Sequence, residues 1–209
     1  MEFNTSSQEK IGEFVGVFAG DGNYTVDRRY HHQIRIFLTA RDSLYIQHVA
    51  DLFTFICNKK PSIYYRKSEN VAVIRIISVE LYNFITKYLK WNKRKTETVH
   101  LRKPLNGYKK SFLIGFLRGL IDTDGYIDKR GTVKFSTISN NLSKNVELSL
   151  RKLKINYRKY IQTDKRKNRK PITRIVVWKD FEKLIKIIKP EHFNYLYNKG
   201  VNRKQAQVV

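Results

Sequence analysis

Apolar residues in this chain fall first at helical and then at strand spacing, and the whole succession occurs twice. Ile11, Phe14, Val15 and Phe18 share one face of a 3.6-residue period, so residues 9–20 read as a helix. Ser6 with Glu9 three positions later is a capping-box pattern at its start. Period-2 alternation over 24–30 and 33–39 predicts two half-buried strands, and 43–55 reads as a helix with Leu44, Val49 and Leu52 apolar. Strand-like runs at 62–67 and 71–77 follow, then a helix over 80–91.

The order then recurs. An apolar helical stretch from Gly115 ends, like the one from Glu13, in Asp-Gly, and the two aspartates lie 103 residues apart, about half of the 209-residue chain. Strands are predicted at 126–128 and 132–138, turning at Lys129-Arg130-Gly131. A helix over 142–153, strands at 156–162 and 172–178, and a helix over 181–188 stopped by Pro190 complete the copy, with a short helix starting near Glu191. Each half reads αββαββα, which makes the fold class α+β with pseudo-twofold symmetry. The predicted division is 1–91 for the N-terminal half, a polar linker at 92–107, and 108–209 for the C-terminal half.

Glycine is out of place in these helices unless something compensates for it. Gly12, Gly16 and Gly20 recur every fourth residue of the first, and Gly115, Gly119 and Thr123 repeat the pattern in the second. Each interior glycine costs a helix about 0.5–1 kcal/mol relative to alanine. Small residues at this spacing clear a groove that lets another helix backbone approach. The two grooved helices are therefore predicted to pack against one another and to end side by side.

Composition then narrows the partner. Hydrophobic residues make up 41% of the chain, enough for a real core, yet 42 Lys and Arg face only 18 Asp and Glu, a formal charge of +24 with a pI near 10.1. So much like charge calls for a polyanion, with nucleic acid favoured over an anionic membrane surface. No apolar run reaches the roughly 20 residues of a membrane span, and the N-terminus lacks a signal-peptide pattern. Cys57 is the sole cysteine, which excludes an intrachain disulfide and a thiolate zinc cluster. Adjacent His31 and His32 would point to opposite faces of a strand and read as surface or lining residues. A soluble, intracellular protein is expected. Residues 1–100 hold 15 Lys and Arg against 10 acids, leaving 27 against 8 for the remainder, so the second half should make more phosphate contacts.

The chemistry concentrates at the paired helix ends. A helix C-terminus exposes unsatisfied carbonyls and partial negative charge, and a carboxylate added there creates an oxygen-rich site that seeks a cation. Two such ends in contact would bring Asp21 and Asp124 to shared or adjacent ions. Mg2+ suits one or two carboxylates, retained waters and substrate phosphate, and Mn2+ or Ca2+ can occupy the same positions. An acidic centre in a basic protein reads as a nuclease active site.

Residues 14–22 (FVGVFAGDG) and 117–125 (LRGLIDTDG) resemble the paired motif of LAGLIDADG homing endonucleases, the second at seven of nine letters and the first at Gly16, Asp21 and Gly22. The resemblance spans nearly the whole chain. It implies a monomer whose two curved, four-stranded antiparallel sheets lie in successive major grooves. It implies metal binding by Asp21 and Asp124, joined by the backbone carbonyls of Gly20 and Thr123. It further implies cleavage across the minor groove to leave short 3′ overhangs. Ala19 stands where the family usually has a structural acid, kept here as Asp122. The family also sets basic and polar residues beside the metals, for which the candidates are Arg41 and Lys93 or Lys95, with Ser139 and Lys144 in the second half.

Strand alternation supplies the candidate DNA contacts. The polar set is Thr25, Asp27, Arg29, Gln33, Arg35, Tyr64 and Arg66 in the first half, and Lys134, Ser136, Arg158, Tyr160 and Gln162 in the second. Lys165, Arg166, Lys167 and Arg169 form a basic run suited to backbone phosphates. The expected partner is double-stranded DNA of about two helical turns, non-palindromic because the halves differ. No organic cofactor and no membrane are expected, and RNA would enter only for a splicing maturase. That maturase, or a catalytically idle DNA-binding protein, is the alternative reading.

Overall fold

The structure, a computed structural model, describes residues 2–128, 131–163 and 170–192. The first half runs α1 (Gln8–Asp21), β1 (Gly22–Val26), β2 (His32–Thr39), α2 (Ser43–Cys57), β3 (Ser62–Arg66), β4 (Val71–Ile77) and α3 (Val79–Thr86). A connecting region carries β5 (Leu89–Lys90), α4 (Lys95–Thr98) and β6 (His100–Leu101). The second half runs α5 (Lys110–Asp124), β7 (Gly125–Asp128), β8 (Thr132–Thr137), α6 (Asn140–Lys152), β9 (Arg158–Gln162), β10 (Ile172–Val177) and α7 (Phe181–Ile188). The αββαββα order therefore holds in both halves. Each forms a four-stranded antiparallel sheet of the same topology, β1-β2-β4-β3 and β7-β8-β10-β9.

Helices α1 and α5 lie at the centre and pack backbone to backbone. A β-carbon on Gly12 would overlap the Phe112 carbonyl, one on Gly16 the Phe116 carbonyl, one on Gly115 the Glu9 carbonyl, and one on Gly119 the Glu13 carbonyl. The glycines thus serve interhelical contact, as their spacing predicts. Around this seam lie the fully buried Phe14, Phe18, Phe112 and Phe116. The inner faces of the sheets add Ile34, Ile36 and Ile74 from one side and Val133, Phe135 and Ile175 from the other. Alternate residues on each sheet are left for the opposite face.

Several local expectations give way to tertiary context. The N-cap of α1 is Ser7, which accepts from the Lys10 amide at 3.2 Å, while Ser6 bonds Asn4 and Glu9 turns to Arg118. Leu44 is 67% exposed, and α2 packs instead through Tyr45, Ile46, Val49, Leu52, Phe53 and Ile56. Helix α3 stops at Thr86, five residues short, because Leu89 and Lys90 leave it to pair with Leu101 and His100. The 92–107 stretch is consequently a folded connection: Val99 and Leu101 are buried, and the Leu101 amide donates to Asn145 of α6 at 2.9 Å. Gly131 adopts φ +76°, as a turn glycine does, whereas Lys129 and Arg130 of that predicted turn lie outside the described residues, as does most of the stretch where a helix from Glu191 is expected.

The closeness of the seam sets a measurable expectation. Gly119→Ala should add about 1 kcal/mol of helix propensity yet lose more by forcing the helices apart, for a net destabilisation of about 2–3 kcal/mol in urea unfolding. A more stable variant would contradict the packing described.

Candidate metal centre and nucleic-acid interface

Both central helices run directly into a strand at an Asp-Gly step. Gly22 and Gly125 are extended, at φ −74° and −87°, so they are not left-handed caps. Glycine is needed because a β-carbon would strike the carbonyl of the preceding turn, Phe18 in one case and Ile121 in the other. Their amides donate to those same carbonyls and close each helix. This geometry holds Asp21 and Asp124 at the helix–strand junctions, where the seam emerges. Gly20 packs against Thr123, and Asp124 Oδ2 lies 3.3 Å from the β-carbon position of Gly20. The four residues expected at the metal, Gly20, Asp21, Thr123 and Asp124, are therefore together.

Neither carboxylate accepts a hydrogen bond from any described residue, and both feel their burial. Burial first, and then the charge of Asp124, push Asp21 up to about 7 against the pull of Lys95. Asp124 is raised by burial as well, again opposed by Lys95. Two partly buried carboxylates facing one another disfavour full ionisation unless a cation joins them. No group of three or more His, Cys, Asp or Glu converges among the described residues. Two carboxylates and backbone carbonyls, without soft ligands, fit a hard divalent ion that takes its other ligands from water and phosphate.

Among the described residues the cation that acts on both carboxylates is Lys95. Its ammonium donates to the carbonyls of Phe18, Ala19 and Gly20 at 2.8, 2.7 and 2.8 Å, capping the C-terminus of α1. Burial lowers its pKa to about 8 even though both aspartates hold it up. Of the two lysines considered from sequence, Lys95 reaches the site and Lys93 is exposed in the turn before α4. The Gly20 carbonyl, expected at the metal, thus already accepts from an ammonium, which was not foreseen. Arg41 and Lys144 are exposed. Ser139 is not an accessory group: it is buried, caps α6 through the Leu142 amide and donates to the Val99 carbonyl.

Farther along the seam the charges are matched. Buried Glu13 accepts from Arg118 at 2.8 Å and also meets His48, and although burial pushes its carboxyl up, these partners hold it below the usual range. Asp122 is raised to about 7 by burial and accepts the Glu191 and His192 amides at 3.1 and 3.2 Å, a structural role. His192 also pairs with Asp42, the N-cap of α2, at 2.6 Å.

The sheet register aligns the polar candidates on the faces away from the core. Thr25 lies opposite Gln33, and Arg35 stands between Asn23 and Arg75, in a row that Ser62 completes. Tyr64 and Arg66 continue this face on β3. On the second sheet Lys134 is opposite Tyr126 and Val176, with Arg158 beyond, while Ser136 and Tyr160 flank Arg174; Gln162 pairs with Ile172. Asn23, Arg75, Tyr126 and Arg174 were missed from sequence. Asp27 serves the β1–β2 turn, accepting from the amides of Arg29 and His31 and from Gln33, and the two amides and Gln33 bring its carboxyl down to about 2. Lys165, Arg166, Lys167 and Arg169 lie outside the described residues. Part of the second half's basic excess sits on its helices: α6 carries Lys144, Arg151 and Lys152, and α7 Lys183 and Lys186, whereas α2 and α3 carry no lysine or arginine.

Two grooved helices between two like sheets, with an aspartate from each at the seam's end, define the LAGLIDADG fold. Residues 111–189 match the family model described as LAGLIDADG-like domain. The homing endonuclease I-DmoI in complex with DNA and Mn is similar in structure, with a TM-score of 0.65 at 18% identity over 87% of this chain and 96% of that one. I-WcaI bound to its DNA recognition sequence gives 0.58 at 19% identity, covering 88% and 82%. The N-terminal LAGLIDADG domain of WhiA gives 0.56 at 18%, covering 88% and 84%. No curated protein matches the sequence. No helix among the described residues is long and apolar enough to cross a membrane.

The raised Asp21 pKa has a definite pH signature. A carboxyl with an elevated folded pKa keeps a proton that the unfolded chain releases, so its contribution to stability falls as pH rises from 3.8 to about 7 and is flat above. Metal-free wild type should therefore lose about 2–4 kcal/mol relative to Asp21→Asn across that window, read by urea unfolding at stepped pH. A difference independent of pH would show Asp21 to be solvated and unstrained.

Proposed function

We propose that this chain is a site-specific DNA endonuclease that makes a double-strand break in a long, non-palindromic duplex by metal-dependent phosphodiester hydrolysis. The observation that carries this reading is the pair of carboxylates, half-exposed Asp21 and exposed Asp124, that meet at the end of the seam with no hydrogen bond from any described residue, between two sheets with polar and basic outer faces. The structural likeness to I-DmoI and I-WcaI, both described in complex with DNA, supports the same reading.

Asp21 and Asp124, with the carbonyls of Gly20 and Thr123, would hold Mg2+. A bound divalent ion there supplies a more acidic water and a Lewis acid for charge on the departing oxygen. The chain's own groups do the rest. The close-packed helix seam keeps the two carboxylates at a constant separation. Lys95 neutralises part of their charge before a substrate arrives. Arg41 and Lys93, both exposed, are suited to the phosphates flanking the cut. The outer faces of the sheets would position the duplex as a monomer's two unlike halves, with the target spanning about two helical turns.

The test is cleavage of a randomised duplex library with Mg2+ and sequencing of the cut ends. Wild type should yield one dominant site with short 3′ overhangs. Asp21→Asn with Asp124→Asn should bind the recovered duplex within about threefold of wild type while its cleavage falls at least a thousandfold, on the order of 4 kcal/mol in barrier. Binding by wild type without cutting would favour an idle DNA-binding protein, and preference for folded RNA would favour a maturase.

A further inference from the structure

The outer face of the first sheet contains an arrangement that folding alone does not explain. Arg35 and Arg75 are directly paired across β2 and β4, its two central strands, so two like charges stand side by side. Like charges in this position destabilise a sheet. Neither is neutralised by the acids in the sheet's turns, because Asp27 is taken by its own turn and Gln33, and Glu69 pairs with Arg66. The Nε–H of each arginine is buried and finds no partner among the described residues.

The two guanidinium groups are nonetheless held in place, and they lean apart. Arg35 donates through Nη2 to Asn23 and Thr25 on β1, both at 2.9 Å, and lies 5.6 Å from the Phe37 ring. Arg75 lies 5.4 Å from the ring of Tyr64 on β3. Two planar groups are thus oriented by aromatic and polar neighbours, while Nη1 of Arg35 and both terminal nitrogens of Arg75 bond to no described residue. An acceptor from outside can meet these terminal nitrogens, while the enclosed Nε–H groups stay out of its reach. The best match to such a fork on a sheet lying in a major groove is the O6/N7 edge of guanine.

We propose that Arg35 and Arg75 each read a guanine in the half-site under the N-terminal sheet. This rests on the reading above, that the sheet face receives duplex DNA. Strands about 4.8 Å apart, base pairs about 3.4 Å apart and side chains that diverge put the two guanines about one to three base pairs from each other. The equivalent row of the second sheet holds a single arginine, Arg174, between Ser136 and Tyr160. The two-guanine element belongs to one half-site only and helps make the target asymmetric.

The experiment selects bound duplexes from a randomised library, using the full chain carrying Asp21→Asn and Asp124→Asn so that nothing is cut. The same selection is repeated with Arg35→Gln or Arg75→Gln added. The parent should enrich two nearby guanines in one half-site. Each added substitution should cost its own position about tenfold to a hundredfold in preference, with adenine gaining there, and leave the rest of the site unchanged. Equal loss of affinity for all sequences would mean phosphate contacts and overturn the proposal, as would a parent site lacking the two guanines. Should the parent enrich no sequence, the DNA-recognition reading itself fails. Arg75→Met, which keeps the aliphatic stem, guards against a folding defect: loss of the guanine with unchanged circular dichroism supports the pair, and retention of the guanine overturns it.

Discussion

The structure depends on the close approach of α1 and α5. At four positions a glycine leaves room for a carbonyl of the other helix, and any β-carbon would overlap it. Because both helices end in Asp-Gly, this one contact also decides where the two carboxylates sit. Domain association and construction of the site are therefore the same event. The helix propensity given up at the glycines is offset by burial of Phe14, Phe18, Phe112 and Phe116 around them.

Charge is treated differently along the seam. In its interior, Glu13, Arg118 and His48 answer one another, and Asp122 is capped by the amides of Glu191 and His192. At the end where the strands begin, the one described cation acting on Asp21 and Asp124 is Lys95, and it bonds carbonyls rather than the carboxylates. Two neighbouring carboxylates, of which Asp21 is pushed up to about 7, resist ionising together unless a cation joins them. The contrast within one interface supports the proposed metal-binding role of the two aspartates.

Much of this was legible in the sequence because its signals are local and repeated. The glycine spacing showed which helices meet, and strand parity put Thr25, Gln33, Arg35, Lys134 and Arg158 on the outer faces. The omissions share a physical cause. Val71–Ile77 reads as a nearly unbroken apolar run, as central strands do, so its one polar outward residue, Arg75, was hidden; Arg174 on β10 is the same case. Lys93 and Lys95 could not be separated because the choice depends on the β5–β6 pairing, a long-range contact that turns residues 92–107 back against α1 and α6. Ser139 carries an ordinary N-cap signature that family resemblance overrode.

The central claim is that one carboxylate from each half meets at a common metal centre. It is tested most directly by anomalous diffraction from the chain crystallised with Mn2+ and a duplex it selects. The account predicts manganese density at the α1–α5 seam, in contact with oxygens of both Asp21 and Asp124 and with a phosphate. Manganese bound elsewhere, or the two carboxylates turned away from the ion and the duplex, would contradict it.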